Sequence, residues 1–181
     1  MGACLNQKQS KLEKETHFSK EKLDKLYKKF IKDHPDGHIS KKEFRTEYKR
    51  SFPDGDVQSF TDRVFQTFDT NNDGYIDYLE FVIALNLTTH GSYEEKLRWA
   101  FSVYDHDNDQ RITGAEVDDF FLAYEKMVSF SKSRSYETSR RQSQVFSHIM
   151  RDYPDGVTFE EFMCIVNEHP NFVDSLPIFH K

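Results

Sequence analysis

Residues 69–80 read Asp69-Thr70-Asn71-Asn72-Asp73-Gly74-Tyr75-Ile76-Asp77-Tyr78-Leu79-Glu80, and they put an oxygen donor at positions 1, 3, 5, 7, 9 and 12 of a twelve-residue turn. Asp69, Asn71 and Asp73 offer side-chain oxygens and Tyr75 offers its carbonyl. Asp77 binds directly or through water, and Glu80 closes the shell with two oxygens. This is the donor set of a calcium loop. Gly74, at position 6, takes the positive φ of the sharpest bend without a steric cost. Ile76, at position 8, is apolar because it pairs with a neighbouring loop. A merely polar turn would need neither the terminal glutamate nor a helix on each side.

The pattern recurs at 105–116, DHDNDQRITGAE, starting 36 residues later. That period indicates a repeated helix-loop-helix unit, the EF-hand. Asp105, Asp107, Asp109, the Arg111 carbonyl, Thr113 and Glu116 are the expected ligands, so two Ca²⁺ ions are expected in the chain, one per loop. Gln110 stands at position 6 in place of glycine. Forcing a residue with a β-carbon into the left-handed region costs about 1–2 kcal/mol, so this loop is expected to bind less tightly than its charge would allow.

Two further copies are relics. In 32–43, KDHPDGHISKKE, Lys32 and His34 occupy positions 1 and 3, and Pro35 stiffens the turn. In 150–161, MRDYPDGVTFEE, Met150 takes position 1 and Gly156 falls one place late, as if a residue had been deleted. These loops are expected to be structural, with Ile39 pairing with Ile76 and Ile112 with Val157. A zinc site at His34 and His38 lacks cysteine partners and a helical frame.

Apolar residues at helical spacing flank the loops: Leu23, Leu26, Tyr27, Phe30 and Ile31 after a Ser19 cap, then Phe60, Val64, Phe65 and Phe68. Ser92 and Glu95 form a capping box ahead of Leu97 and Phe101. The expected fold is all-α: four EF-hands in two pairs, with short antiparallel strands joining the paired loops. The expected segments are a flexible N-terminal stretch (1–18), a first pair (19–90) and a second pair with a tail (91–181), with Gly91 as a swivel. Pro53 and Gly55 punctuate the passage between the first two hands. Residues 129–143, SFSKSRSYETSRRQS, read as a flexible linker, with phosphorylation of Ser143 as the alternative.

At 181 residues, 31% charged and 36% hydrophobic, the chain has the composition of a soluble two-domain protein. Its 17 phenylalanines either fill the helix pairs or line an apolar groove opened by calcium. Two cysteines exclude a disulfide framework and point to a reducing compartment. Residues 1–50 hold 14 Lys+Arg against 8 Asp+Glu, a net +6, while the remainder holds 11 against 23, a net −12. The basic start either leans on an anionic membrane or forms a solvated helix face. MGACLN places Gly2 as an N-myristoyl acceptor, with Asn6 where the pattern has Ser or Thr, and Cys4 as a second, palmitoyl site. One acyl chain alone holds a protein only marginally on a bilayer. The overall −6 charge disfavours nucleic acid, and no phosphate-cradling loop or nucleophile elbow marks an enzyme.

The disabled first loop in FIKDHPDGHISKKEF, the intact FDTNNDGYIDYLEFVIAL, Gly91 and YEEKLRWAFSVYDHDND around Trp99 together resemble the neuronal calcium sensor family. The resemblance runs from Gly2 to about Leu176. It implies a cytoplasmic, peripherally membrane-bound sensor that exposes a hydrophobic face on binding calcium, often with release of a buried myristoyl group. It implies a membrane-associated target such as a receptor kinase, guanylate cyclase, lipid kinase or channel. A calcium buffer and a constitutive EF-hand regulatory subunit are the competing classes.

Overall fold

A computed structural model describes residues 10–128 and 134–169, so Gly2, Cys4, Asn6, Ser129–Ser133 and the tail from Pro170 lie outside the described residues. The order is α1 (Lys20–Asp33), β1 (His38–Ser40), α2 (Lys41–Ser51), α3 (Gln58–Phe68), β2 (Tyr75–Asp77), α4 (Tyr78–His90), α5 (Tyr93–Tyr104), α6 (Gly114–Val128), α7 (Arg134–Ile149), a 3₁₀ turn (Met150–Asp152) and α8 (Phe159–Glu168). Every loop is thus bracketed by helices, as the repeat requires. The expected strand pairs are present: β1 and β2 are antiparallel with Ile39 opposite Ile76, and Ile112 bridges Val157. The Ser19 hydroxyl accepts from the Lys22 N–H and caps α1, and Ser92 and Glu95 cap each other's backbone ahead of α5.

The residues fall into two compact units. The first comprises the described residues up to Phe44 together with Phe65–Lys96; the second comprises Arg45–Val64 with the described residues from Leu97 onward. The sequence places one boundary near Gly91. Contacts instead carry 45–64, most of α2 and the first turns of α3, into the second unit. The physical reason is aromatic: Phe60 of α3 lies 5.8 Å, centroid to centroid, from both Phe120 and Tyr124 of α6. The Asp56 N–H also donates to the Lys126 carbonyl at 3.0 Å.

The core of the first unit gathers Leu23, Phe30, Ile39, Phe65, Ile76 and Val82. Leu12 and Phe18 belong to it as well, which corrects the reading of residues 1–18 as flexible for its described part. Residues 10–15 are helical, Leu12 is fully buried, and the His17 N–H donates to Asn86 Oδ1 at 2.9 Å. Two apolar anchors five or more residues apart are too sparse for periodicity to register. The core of the second unit is built on Tyr104, Phe120, Phe121, Phe146 and Phe162. Most phenylalanines therefore fill cores, although Phe44, Phe68 and Phe81 are only partly buried at the edge of the first.

The linker reading of 129–143 is also corrected for residues 134–143, because α7 occupies 134–149 as the entering helix of the fourth hand, while 129–133 lie outside the described residues. Nothing in that stretch breaks a helix, as it contains neither glycine nor proline. Phe146 and Met150 anchor its end in the core.

Candidate metal centre

The second loop begins where α3 runs out and ends as α4 starts. Asp69 Oδ1 accepts from the Asp73 N–H at 3.0 Å and Oδ2 from the Gly74 N–H at 2.9 Å, so the carboxylate at position 1 braces the bend. Gly74 sits at φ +87°. Asn71 Oδ1 and Asp73 Oδ1 each accept from the backbone two residues on, at 2.8 and 2.9 Å. Glu80 folds back over the loop: Oε1 accepts from the N–H and hydroxyl of Thr70, both at 2.9 Å, and Oε2 from the Asp77 N–H at 3.0 Å. The last turn of the loop is therefore tied to the first by the residue that also forms the third position of helix α4.

The third loop repeats this geometry. Asp105 accepts from the N–H groups of Asp109 and Gln110, Asp107 from Asp109, and Asp109 from Arg111. Glu116 Oε1 accepts from the His106 N–H at 2.8 Å, and Oε2 from the Thr113 N–H at 2.9 Å. Carboxylate oxygens of Asp105, Asp107 and Asp109 lie within 4.8 Å of one another. Gln110 adopts φ +71°, the left-handed strain anticipated for a position that wants glycine. Gln110→Gly is therefore expected to tighten calcium at this loop by about tenfold, the equivalent of roughly 1.4 kcal/mol, while the second loop is unchanged. Site-resolved calcium titration by NMR checks this.

Donor chemistry and electrostatics fit a hard dication. Asp69, Glu80 and Asp105 are only 6%, 5% and 6% exposed, so three carboxylates are held largely out of water. Burial pushes the Asp105 carboxyl above its usual range, and the negative charges of Glu116 and Asp109 add to the rise. Burial pushes Glu116 up too, but the N–H and hydroxyl of Thr113 and the N–H of His106 outweigh it and hold the carboxylate ionised. Crowded, oxygen-only and anionic, such a cage is stabilised by Ca²⁺.

The other two loops are built differently. In the first, Glu43 at position 12 accepts from the Ser40 hydroxyl at 2.6 Å and the Ser40 N–H at 2.8 Å, and His34 Nδ1 lies 3.5 Å from its other oxygen. The two Ser40 bonds, with His34 beside them, hold the Glu43 carboxyl below the usual range. Lys32 and His34 stand where positions 1 and 3 belong. In the fourth, residues 150–152 coil into a 3₁₀ turn where the cage would begin, and Gly156 takes φ +78° one place late.

A shared device was missed in the sequence reading. Positions 9 and 12 form a capping box for the exit helix in the second hand (Asp77 with Glu80) and the fourth (Thr158 with Glu161). The same reciprocal bonds join Ser40 with Glu43 and Thr113 with Glu116. The signal is a plain [S/T/D]-x-x-E at the end of each loop. It means that position 9 starts the exit helix of its hand.

An EF hand domain model matches residues 60–88, the second hand. Human recoverin is 34% identical over 167 residues, spanning 90% of this chain and 84% of its own length. The chain belongs to the neuronal calcium sensor family. S-modulin of Aquarana catesbeiana is likewise 34% identical, over 90% of this chain and 83% of its own. Neuronal calcium sensor 1 of Lymnaea stagnalis is 36% identical over 170 residues, covering 92% and 89%. Among the described residues no helix is long and apolar enough to cross a membrane.

Proposed function

We propose that this family member is an intracellular calcium sensor with two working sites. Asp69, Asn71, Asp73, the Tyr75 carbonyl, Asp77 and Glu80 take one ion, and Asp105, Asp107, Asp109, the Arg111 carbonyl, Thr113 and Glu116 take the other. The observation that carries this reading is the double placement of Glu80 and Glu116, each at once bonded back across its loop from position 12 and the third residue of an exit helix. When bound, calcium supplies concentrated positive charge to the cage. Glu80 then gives up backbone N–H bonds at Thr70 and turns its oxygens inward, and α4 must follow because the carboxylate is part of its first turn. The partly buried Leu26, Tyr27, Phe44, Phe81 and Leu85 are the apolar residues whose exposure such a movement changes.

In this reading the newly exposed face docks a membrane-associated protein target of the kinase, cyclase or channel kind. A myristoyl chain on Gly2, with a palmitoyl on Cys4 as a second anchor, holds the protein peripherally at the cytoplasmic face. Sensor loops of this type work at about 10⁻⁷–10⁻⁵ M calcium, the cytosolic signalling window.

The test pairs two readouts on the acylated protein. A hydrophobic dye is expected to brighten on adding micromolar calcium and to dim in chelator; equal fluorescence in both would mean a buffer or a constitutive subunit, since buffer hands barely open. Co-sedimentation with anionic vesicles is expected to depend on calcium for the parent and to vanish for Gly2→Ala. Identical sedimentation of the two forms rejects the acyl anchor.

A further inference from the structure

The fourth loop has no cage, yet it is not without a cation. Arg111, at position 7 of the third loop, reaches across the pair: its Nη1 donates to the Gly156 carbonyl at 3.0 Å and to the Asp155 carbonyl at 3.3 Å. Its positive charge also helps hold Glu161, the twelfth residue of the fourth loop, in the carboxylate form, secondary to the N–H and hydroxyl of Thr158. Backbone carbonyls and a closing glutamate are the groups that face a metal in a working loop. Here the carbonyls meet a guanidinium, whose charge Glu161 also feels.

The local backbone is shaped around this contact. Gly156 lies in the left-handed region, and a β-carbon on it would stand 3.0 Å from the Ile112 carbonyl oxygen and 3.3 Å from the Arg111 β-carbon. The two loops are closed against each other at this point by the reciprocal bonds of Ile112 and Val157, at 2.8 and 2.9 Å. Arg111 immediately follows Gln110, the residue strained at φ +71°, and its own carbonyl is the seventh-position donor of the third loop.

We infer that Arg111 is a tethered cation that replaces calcium in the degenerate fourth loop, and that by gripping this loop it positions its own carbonyl for the ion in the third. The inference rests, for its second half, on the reading of the third loop as a calcium site. The guanidinium suits the task because its planar terminal Nη1 carries two N–H groups, enough to reach both carbonyl oxygens. The side chain makes a strained turn tolerable by anchoring the residue just beyond it.

Two variants of the full chain separate charge from bulk. Arg111→Met keeps the stem and removes the cation; Arg111→Lys keeps the cation but offers a point charge in place of a fork. In chelator, amide hydrogen exchange at Ile112 and Val157 is expected to quicken about tenfold in Arg111→Met, with Ile76 in the other pair as the internal control for folding. In calcium, third-loop affinity is expected to fall roughly fivefold while second-loop affinity stays put, and Arg111→Lys is expected to recover part of both effects. Parent-like exchange in Arg111→Met overturns the clamp. Arg111→Lys no better than Arg111→Met overturns the role of charge. Parent-like third-loop affinity alongside faster exchange overturns the link to the ion. Failure of the parent itself to bind at the third loop sinks the calcium reading, while the chelator measurement still decides the clamp.

Discussion

Replacing Glu80 with glutamine is expected to weaken calcium at the second loop by about 100-fold, and Glu116→Gln to do the same at the third. Each exchange removes one negative charge and the paired oxygens that close the shell, a loss of about 3 kcal/mol for a charge-assisted interaction in a shielded site. The amide also spoils the loop's own bonding. Glu80 accepts from Thr70 with one oxygen and from Asp77 with the other, and in glutamine one of those acceptors becomes an NH₂ facing an N–H. Fold is retained because Ile39–Ile76 and the helices stay paired. Calorimetry of each single variant should lose one binding event, and the double variant should lose the calcium response of Trp99 emission. An unaltered Trp99 response in the double variant would reject the coupling of loop to helix.

The second large effect lies far from any loop. Gly55→Ala places a β-carbon 1.8 Å from the Met127 carbonyl oxygen and 2.7 Å from its carbon. That obstacle is backbone at the end of α6, so no rotamer change relieves it, and either the α2–α3 turn or α6 must shift. Such a shift strains the Asp56 N–H bond to Lys126 and the Phe60 packing on Phe120 and Tyr124. We expect about 3 kcal/mol of destabilisation, near the upper range for overpacking, and a melting temperature lower by roughly 10 °C for a chain of this size. Differential scanning calorimetry in chelator measures it directly. A melting temperature within a degree of the parent would mean the two segments are not held together as described.

The loops were legible in the sequence because their pattern is encoded residue by residue: oxygen donors at fixed offsets, an apolar eighth position, a glutamate at the twelfth. Both inter-loop pairings, Ile39 with Ile76 and Ile112 with Val157, followed from that register alone. The family resemblance carried by the disabled first loop, the second and third hands and Gly91 agrees with the 34–36% identity to its members. What escaped is what depends on distant packing. α7 is a polar, serine-rich helix whose core contacts come late in its length, so composition spoke for a linker while Phe146 and Met150 decided for a helix. Leu12 is a single apolar residue in a charged stretch, and its burial depends on a core assembled by α1 and α4. Pro53 and Gly55 announced a turn, but nothing local says that the turn carries residues 45–64 into the second unit. Arg111 offered only a carbonyl in a linear reading; its side chain acquires a partner 45 residues away once the loops are closed.

On the proposed assignment of ions, each ion-holding loop is bridged to a neighbour without a cage, and this has a consequence for dose and response. Where both members of a ladder take up metal, filling one prepares the other and occupancy climbs steeply over a narrow concentration range. Here the partners of the two proposed sites carry no such cage, and Ser40, His34 and Arg111 already engage the polar groups of those loops. Within each half the proposed single site then gives a simple hyperbola, and the protein is expected to grade its output across a broad span of calcium instead of toggling between extremes.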